Sequence, residues 1–358
     1  MKWISRFKSA VLAALACTAI AGVPEAMAQG LEKELVISST GGVMEKTLSR
    51  YFYTPFSKAT GVEVVPVAIE VPDQWAKLQA MSRSGSVEFD IVTATPPDLV
   101  QKKELLQPID CSKFPNVAAN GVKGACTPFG VMRTVGGMQL GYSTDAFKGN
   151  NVPRTWADFW DTTKFPGPRG LPDTGDREWW LPVAALLADG VPADKLFPLD
   201  LDRAYKKLDV IRPHIAVWWK SGDQLMQIMR NKEVVMTMGY SSKLISLVNA
   251  KLPIATTWNQ AISDVAYMAI PKSAPHPKAA AAYIEFFYGL PAQEHVKFVN
   301  AISYDTGFAG TAALITPERR ALLATSPENF DKLIVADHEW VGKNRQMLRD
   351  RWISWLGR

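Results

Sequence analysis

Between residues 35 and 105 the chain alternates short β-branched runs with longer helical ones, and this alternation limits the fold more than any other feature. Leu35-Val36-Ile37 reads as a buried strand, and Ser38-Ser39-Thr40-Gly41-Gly42 then leads into a helix expected from Val43 to Phe56. Val62 to Ile69 is β-branched and strand-like. Pro72 opens a helix that carries Trp75, Leu78 and Met81 near one face. Phe89-Asp90-Ile91-Val92 is a third strand, ended by Thr95-Pro96-Pro97. Strand and helix alternating at this spacing form right-handed βαβ units around a parallel sheet. Ligands of such sheets sit at the carboxyl ends of the strands, which singles out the loops Ser38–Gly42 and Thr93–Thr95.

The middle of the chain continues the pattern. Thr155-Trp156-Ala157-Asp158 has the form of a helix N-cap with a carboxylate at the third helical position. Apolar strands are expected at Ala216–Trp218, Val234–Met238 and Val265–Ile270, and helices at Pro277–Tyr288, from Thr316-Pro317-Glu318, and from Asp337 to Trp355. No Pro/Gly/Ser linker separates two halves, so a two-lobed chain must cross between lobes more than once. Crossings near Gly141 and Ala269 divide it into a first lobe of residues 29–140 plus 270–358 and a second lobe of residues 141–269.

The N-terminus carries an export address. Lys2, Arg6 and Lys8 form a basic segment, Ala10 to Gly22 is apolar but too short to span a bilayer, and Ala26-Met27-Ala28 supplies a small-x-small cleavage pattern. Residues 1–28 are therefore expected to be a signal peptide cleaved near Ala28, with the mature chain working in the periplasm. Acylation at Cys17 is the weaker alternative, because Ala14 stands where such a site wants Leu. The formal charge of +5 includes the basic leader, so the mature chain is only mildly basic, which excludes an argument for nucleic acid. Cys111 and Cys126, the pair outside the leader, are expected to be bridged in an oxidising compartment; two buried thiols are the alternative.

Catalytic signatures are sparse. Gly141-Tyr142-Ser143 and Gly239-Tyr240-Ser241 lack the surroundings of a nucleophile elbow. His214, His276, His295 and His338 are scattered, without metal-ligand spacing, and no phosphate-binding loop or dinucleotide fingerprint appears. Neither an enzyme nor a resident metal or cofactor is expected. The twelve tryptophans instead draw attention, four of them in the adjacent pairs Trp179-Trp180 and Trp218-Trp219.

Specific segments resemble a known family. Glu88-Phe89-Asp90-Ile91-Val92 followed by Leu105-Leu106-Gln107-Pro108-Ile109-Asp110, and Thr155-Trp156-Ala157-Asp158-Phe159-Trp160 with Lys164-Phe165-Pro166-Gly167, resemble the spermidine/putrescine-binding group of periplasmic solute-binding proteins. Asp264 to Pro271 resembles that group's strand returning to the first lobe. The resemblance implies a two-lobed α/β fold of type II, each lobe a mostly parallel sheet flanked by helices, with the ligand cleft between the lobes. It also implies a monomeric receptor that delivers a small solute to an inner-membrane ABC permease.

The same resemblance places Thr40, Thr95, Glu178, Ser221 and Tyr304 at the cleft. Trp179, Trp219, Tyr240 and Asp264 join them as aromatic and acidic candidates, because a desolvated ammonium needs a carboxylate and ring faces, each ring worth about 0.5–2 kcal/mol. Two departures stand out. Gly239-Tyr240 replaces the family's tryptophan, and Ala266 replaces a carboxylate, leaving Asp264 nearby. The lost carboxylate puts a long diamine in question, because each ammonium end needs its own anionic partner. Arg133 or Arg177 in the cleft would favour a carboxylate-bearing ligand, whereas surface ion pairs are their plainer role. Trp218 and Trp219, adjacent on a strand, must point to opposite faces. Other readings are a ferric-iron receptor, for which Tyr240 lacks an adjacent tyrosine, a secreted hydrolase or transferase with Glu178 or Asp264 as base, and a sensory module.

Overall fold

Two strands much longer than the rest decide the architecture. The computed structural model describes residues 30–173 and 178–357, so the leader and the segment containing Asp176 and Arg177 lie outside the described residues. The strands are β1 (Glu34–Ser39), β2 (Glu63–Ala68), β3 (Val92–Ala94), β4 (Cys126–Thr127), β5 (Gly130–Ser143), β6 (Arg169–Pro172), β7 (Ile215–Trp219), β8 (Met236–Tyr240), β9 (Ile254–Ala269) and β10 (Asp305–Thr306). β5 and β9, of 14 and 16 residues, extend for roughly 50 Å at about 3.3 Å per residue. They pair antiparallel from Val131 opposite Met268 to Ser143 opposite Ile254. The main sheet has the order β3-β9-β5-β8-β6-β7, with β4 and β10 also on β5. β1 pairs with β2, and the bridge between Ile37 and Ile91 ties them to the strand end before β3.

Parallel pairing, as the βαβ spacing predicts, joins β1 to β2 and joins β6 to both β7 and β8. The pairs that include β5 or β9 are antiparallel. A strand leaving one lobe and a strand returning to it must run in opposite directions.

Apolar packing falls into two large clusters that meet on these strands. The first takes in Leu35, Phe52, Phe56, Val131, Val135, Tyr283 and Phe287. The second takes in Met138, Trp156, Trp180, Trp219, Met236 and Trp352. β5 passes from one to the other at Gly136-Gly137, upstream of the crossing expected near Gly141. On β9 the side chains of Trp258, Ala261 and Val265 join the first cluster, and those of Ile254 and Ile262 the second. On β9 the change from one cluster to the other therefore lies inside the strand, ahead of Ala269. The C-terminal helix (His338–Leu356) was expected with the first lobe, yet Val341, Leu348, Trp352 and Trp355 pack in the second cluster. Its tryptophans find their partner surface on Trp218, which drives that placement.

The expected N-cap at Thr155 is formed: the Asp158 N–H donates to Thr155 Oγ1 at 3.1 Å, and Asp158 Oδ2 accepts from the Thr155 N–H at 3.0 Å. Cys111 and Cys126 form a disulfide with Cα atoms 6.0 Å apart, closing a sequence separation of 15. By the chain-entropy model such a loop contributes about 3 kcal/mol. The Cys111→Ser/Cys126→Ser double variant should lose that amount in urea unfolding, whereas no loss would show the bridge to be energetically silent.

His295 is fully buried and its tautomer is fixed by its neighbours. Nε2 lies 3.0 Å from the Phe287 carbonyl, which can only accept, so Nε2 carries the proton and Nδ1 accepts from the Thr306 hydroxyl at 2.8 Å. Burial pushes its pKa down to about 3, with the Phe287 carbonyl opposing. The unfolded chain takes up this proton below about pH 6.5 and the native chain does not, so this residue's contribution to stability falls as pH drops from there toward 3. Burial acts oppositely on Asp305, raising it to about 7, so a site-resolved readout is needed. The His295 imidazole resonance should show no titration between pH 8 and 5; a midpoint above 5 would contradict this burial.

Candidate ligand-binding site

The crossing of β5 and β9 is also where the chemistry gathers. Gly136 lies opposite Asp264 and Gly137 opposite Ser263. Tyr304 lies against Gly136 so closely that a Cβ there would be 2.7 Å from the ring, which explains the glycine. The Tyr304 hydroxyl donates to Asp264 Oδ2 at 3.0 Å and so orients the carboxylate. From the second lobe, Ser241 Oγ accepts the Gly137 N–H at 3.1 Å. Asp264 and Tyr304, both expected at the site, are brought together, and both are half-buried.

On the other side of β5, where Tyr240 of β8 lies opposite Met138, stands an aromatic wall. The half-buried Tyr240 packs 5.5 Å from Trp219 and 5.7 Å from Trp180, and Trp180 in turn lies 5.9 Å from Trp179. Trp219 is fully buried, and its indole N–H donates to the Met238 carbonyl at 3.1 Å, so it braces Tyr240. Trp218 points the other way, onto Trp352 and Trp355 at 5.7 and 5.8 Å, as strand alternation requires.

The first lobe supplies Thr95, Thr93 and Arg133. Thr95 caps the short helix Pro96–Gln101, and its hydroxyl donates to Asp98 Oδ2 at 2.6 Å. Arg133 is 6% exposed, and its Nη1 donates to Thr93 Oγ1 at 3.0 Å. Its Nε is buried without a hydrogen-bond partner, and no carboxylate among the described residues stands within 4.0 Å of it. The surface ion pair expected as its plainer role is therefore replaced by a buried, unpaired guanidinium. Its charge lowers, and that of Glu45 raises, the nearby Tyr53 phenol, which burial pushes up to about 12.

Three further expected residues have the following surroundings. Thr40 is exposed in the loop after β1. Ser221 is an exposed N-cap whose Oγ accepts the Gln224 N–H at 3.1 Å. Glu178 is buried beside a cavity of about 350 Å³ that it lines with Asp173, Arg349 and Trp352 on the side of the C-terminal helix. Its charge raises the phenol of Tyr205, which burial raises first. Ser241, Trp180 and Trp258 belong to the site's surroundings without having been expected there; Trp258 abuts Gly137, where a Cβ would be 3.1 Å from its ring. Among the described residues no group of His, Cys, Asp or Glu could hold a metal ion, and no helix is long and apolar enough to cross a membrane.

Two α/β lobes joined by paired crossing strands, with charged and aromatic groups at the junction, define a hinged solute-binding protein. The chain belongs to the bacterial extracellular solute-binding protein family, whose profile matches residues 52–316. The gamma-aminobutyric acid-binding protein of Pseudomonas aeruginosa is 31% identical over 340 residues, 93% of this chain and 94% of that protein. The spermidine/putrescine-binding periplasmic protein of Escherichia coli is 24% identical over 272 residues, 74% of this chain and 75% of its own. An ABC transporter substrate-binding protein from Bradyrhizobium japonicum has a solved structure of TM-score 0.81 and 31% identity, covering 91% of this chain and 100% of that one. The resemblance read from the segments around Phe89, Pro108 and Trp156 is thereby confirmed, as is the two-lobed fold.

Proposed function

We propose that this protein is the periplasmic receptor of an ABC importer for a small amino-acid-like solute that carries both an ammonium and a carboxylate. The observation that carries the reading is the pair of opposite charges at the lobe junction: Asp264 on β9, held by Tyr304, and the buried, unpaired Arg133 on β5. A buried charge lacking a partner is costly, and a ligand carboxylate would supply one. The ammonium end would lie between Asp264 and the Tyr240 ring. A polyamine has nothing to offer Arg133. The similarity to a gamma-aminobutyric acid-binding protein points the same way.

Binding contributions from both lobes would stabilise the closed form, and the permease would read that shape. Micromolar affinity needs only about 8 kcal/mol net, within reach of one ion pair at each end and the ring contacts. The test is thermal shift of the refolded, ligand-stripped mature protein against polyamines, γ-amino acids, basic and neutral amino acids, sugars and ferric citrate. Shifts for γ-amino or α-amino acids alone support the reading. A shift for spermidine or putrescine alone removes the carboxylate from it, and a shift for ferric citrate alone replaces it.

A further inference from the structure

The C-terminal helix is bonded to one lobe and packs against the other along the short helix Pro96–Gln101. Trp352 and Trp355 rest on Trp218. The Trp355 indole donates to Asp209 at 2.7 Å, Arg351 pairs with Asp202 at 2.6 Å, and Arg212 donates to the Trp355 and Leu356 carbonyls. Just before the helix, Ile334 is bonded to the crossing strand, donating to the Ala261 carbonyl at 2.8 Å and accepting the Ser263 N–H at 2.9 Å. These contacts fix the helix to the second lobe and the junction.

Its reach into the first lobe depends on Gly342 and Arg345. A Cβ at Gly342 would lie 3.2 Å from the Pro97 carbonyl, so the glycine lets the helix press on Pro96–Gln101. Arg345 Nη1 then meets Asp98 Oδ1 at 2.6 Å, with Asp98 almost wholly buried. The other oxygen of Asp98 accepts from both the N–H and the hydroxyl of Thr95, at 2.9 and 2.6 Å. One carboxylate thus joins a helix held by the second lobe to the strand-end loop of the first.

We propose that Arg345 is a positioning residue for ligand capture: through Asp98 it clasps the C-terminal helix onto the first lobe and sets the balance between open and closed lobes. Charge-assisted bonds of this length are among the stronger side-chain links, and a shift in a two-state balance scales the apparent affinity by the closed fraction. The affinity arm rests on the proposed amino-acid-like ligand. The scattering arm does not, because it uses the ligand-free protein.

The experiment compares the mature wild type with Arg345→Gln, Arg345→Lys and Asp98→Asn by small-angle X-ray scattering without ligand. It also measures binding kinetics for the amino acid that gives the largest thermal shift. Arg345→Gln and Asp98→Asn should enlarge the ligand-free radius of gyration and weaken binding about tenfold, chiefly through faster release. Arg345→Lys should restore most of both. Scattering curves superimposable on wild type would overturn the proposal, whatever the affinity does. An affinity loss accompanied by a matching fall in melting temperature, with no change in shape, would also overturn it and make the pair a packing contact. Failure of every amino acid to bind wild type would overturn the ligand reading alone, since the scattering comparison would still decide the clasp.

Discussion

Asp264→Asn should weaken binding of the amino-acid-like ligand about 100-fold while leaving the ligand-free melting temperature close to wild type. The asparagine amide oxygen can still accept the Tyr304 hydroxyl now donated to Oδ2 at 3.0 Å, so the local geometry survives. What disappears is the negative charge opposite the ligand's ammonium. Truncating one partner of a largely desolvated, hydrogen-bonded charge pair costs about 2–5 kcal/mol, and 100-fold corresponds to about 2.7 kcal/mol. Tyr304→Phe keeps the charge and loses only its orientation, so its effect should be smaller, near tenfold. Titration calorimetry of both variants measures this. Unchanged affinity in Asp264→Asn would remove the carboxylate from the site, and a parallel collapse of ligand-free stability would make it structural.

The strands and helices of the first hundred mature residues were legible because each has a clean period and a capping or breaking residue at its end. The runs starting at Leu35, Val62 and Pro72 are within a few residues of β1, β2 and the helix Val71–Ser84. β5 was not legible. Its interior carries Gly136, Gly137 and Gly141, which lower strand propensity, and the reason for Gly136 is the Tyr304 ring pressed against it from more than 160 residues away. The first half of β9 was missed for a related reason: Thr256 and Asn259 interrupt the apolar pattern, and the pairing with β5 that sustains the strand is non-local. In the site, the aromatic wall was visible as tryptophan pairs, and strand alternation correctly separated Trp218 from Trp219. The surroundings of Glu178 were not legible, because its sequence neighbours cannot tell what a buried carboxylate packs against. Only the packed C-terminal helix shows that it faces Trp352 and Arg349. Burial likewise decides Arg133, since a surface arginine and a buried one look identical in the sequence.

Arg133→Met should separate the two ligand chemistries that the relatives bracket. Arg133 is only 6% exposed, with Thr93 Oγ1 as its hydrogen-bond partner and Nε left without one. Replacing a buried unpaired charge by an apolar side chain of similar length is often neutral or stabilising, so the ligand-free protein should melt at or slightly above the wild-type temperature. Ligands that bring a carboxylate should lose the partner that pairs with it, weakening by about 2–4 kcal/mol, or some 30- to 1000-fold. Arg133→Lys should recover part of this, because an ammonium keeps the charge but not the bidentate fork. Amines without a carboxylate should bind Arg133→Met as well as they bind wild type, or better, since the positive charge opposing them is gone. Melting curves and calorimetry on matched pairs, a γ-amino acid against the diamine of equal length, read out both effects. If Arg133→Met instead unfolds readily and its residual folded fraction binds the γ-amino acid normally, the guanidinium serves the Thr93 loop and the ligand's carboxylate must be sought elsewhere.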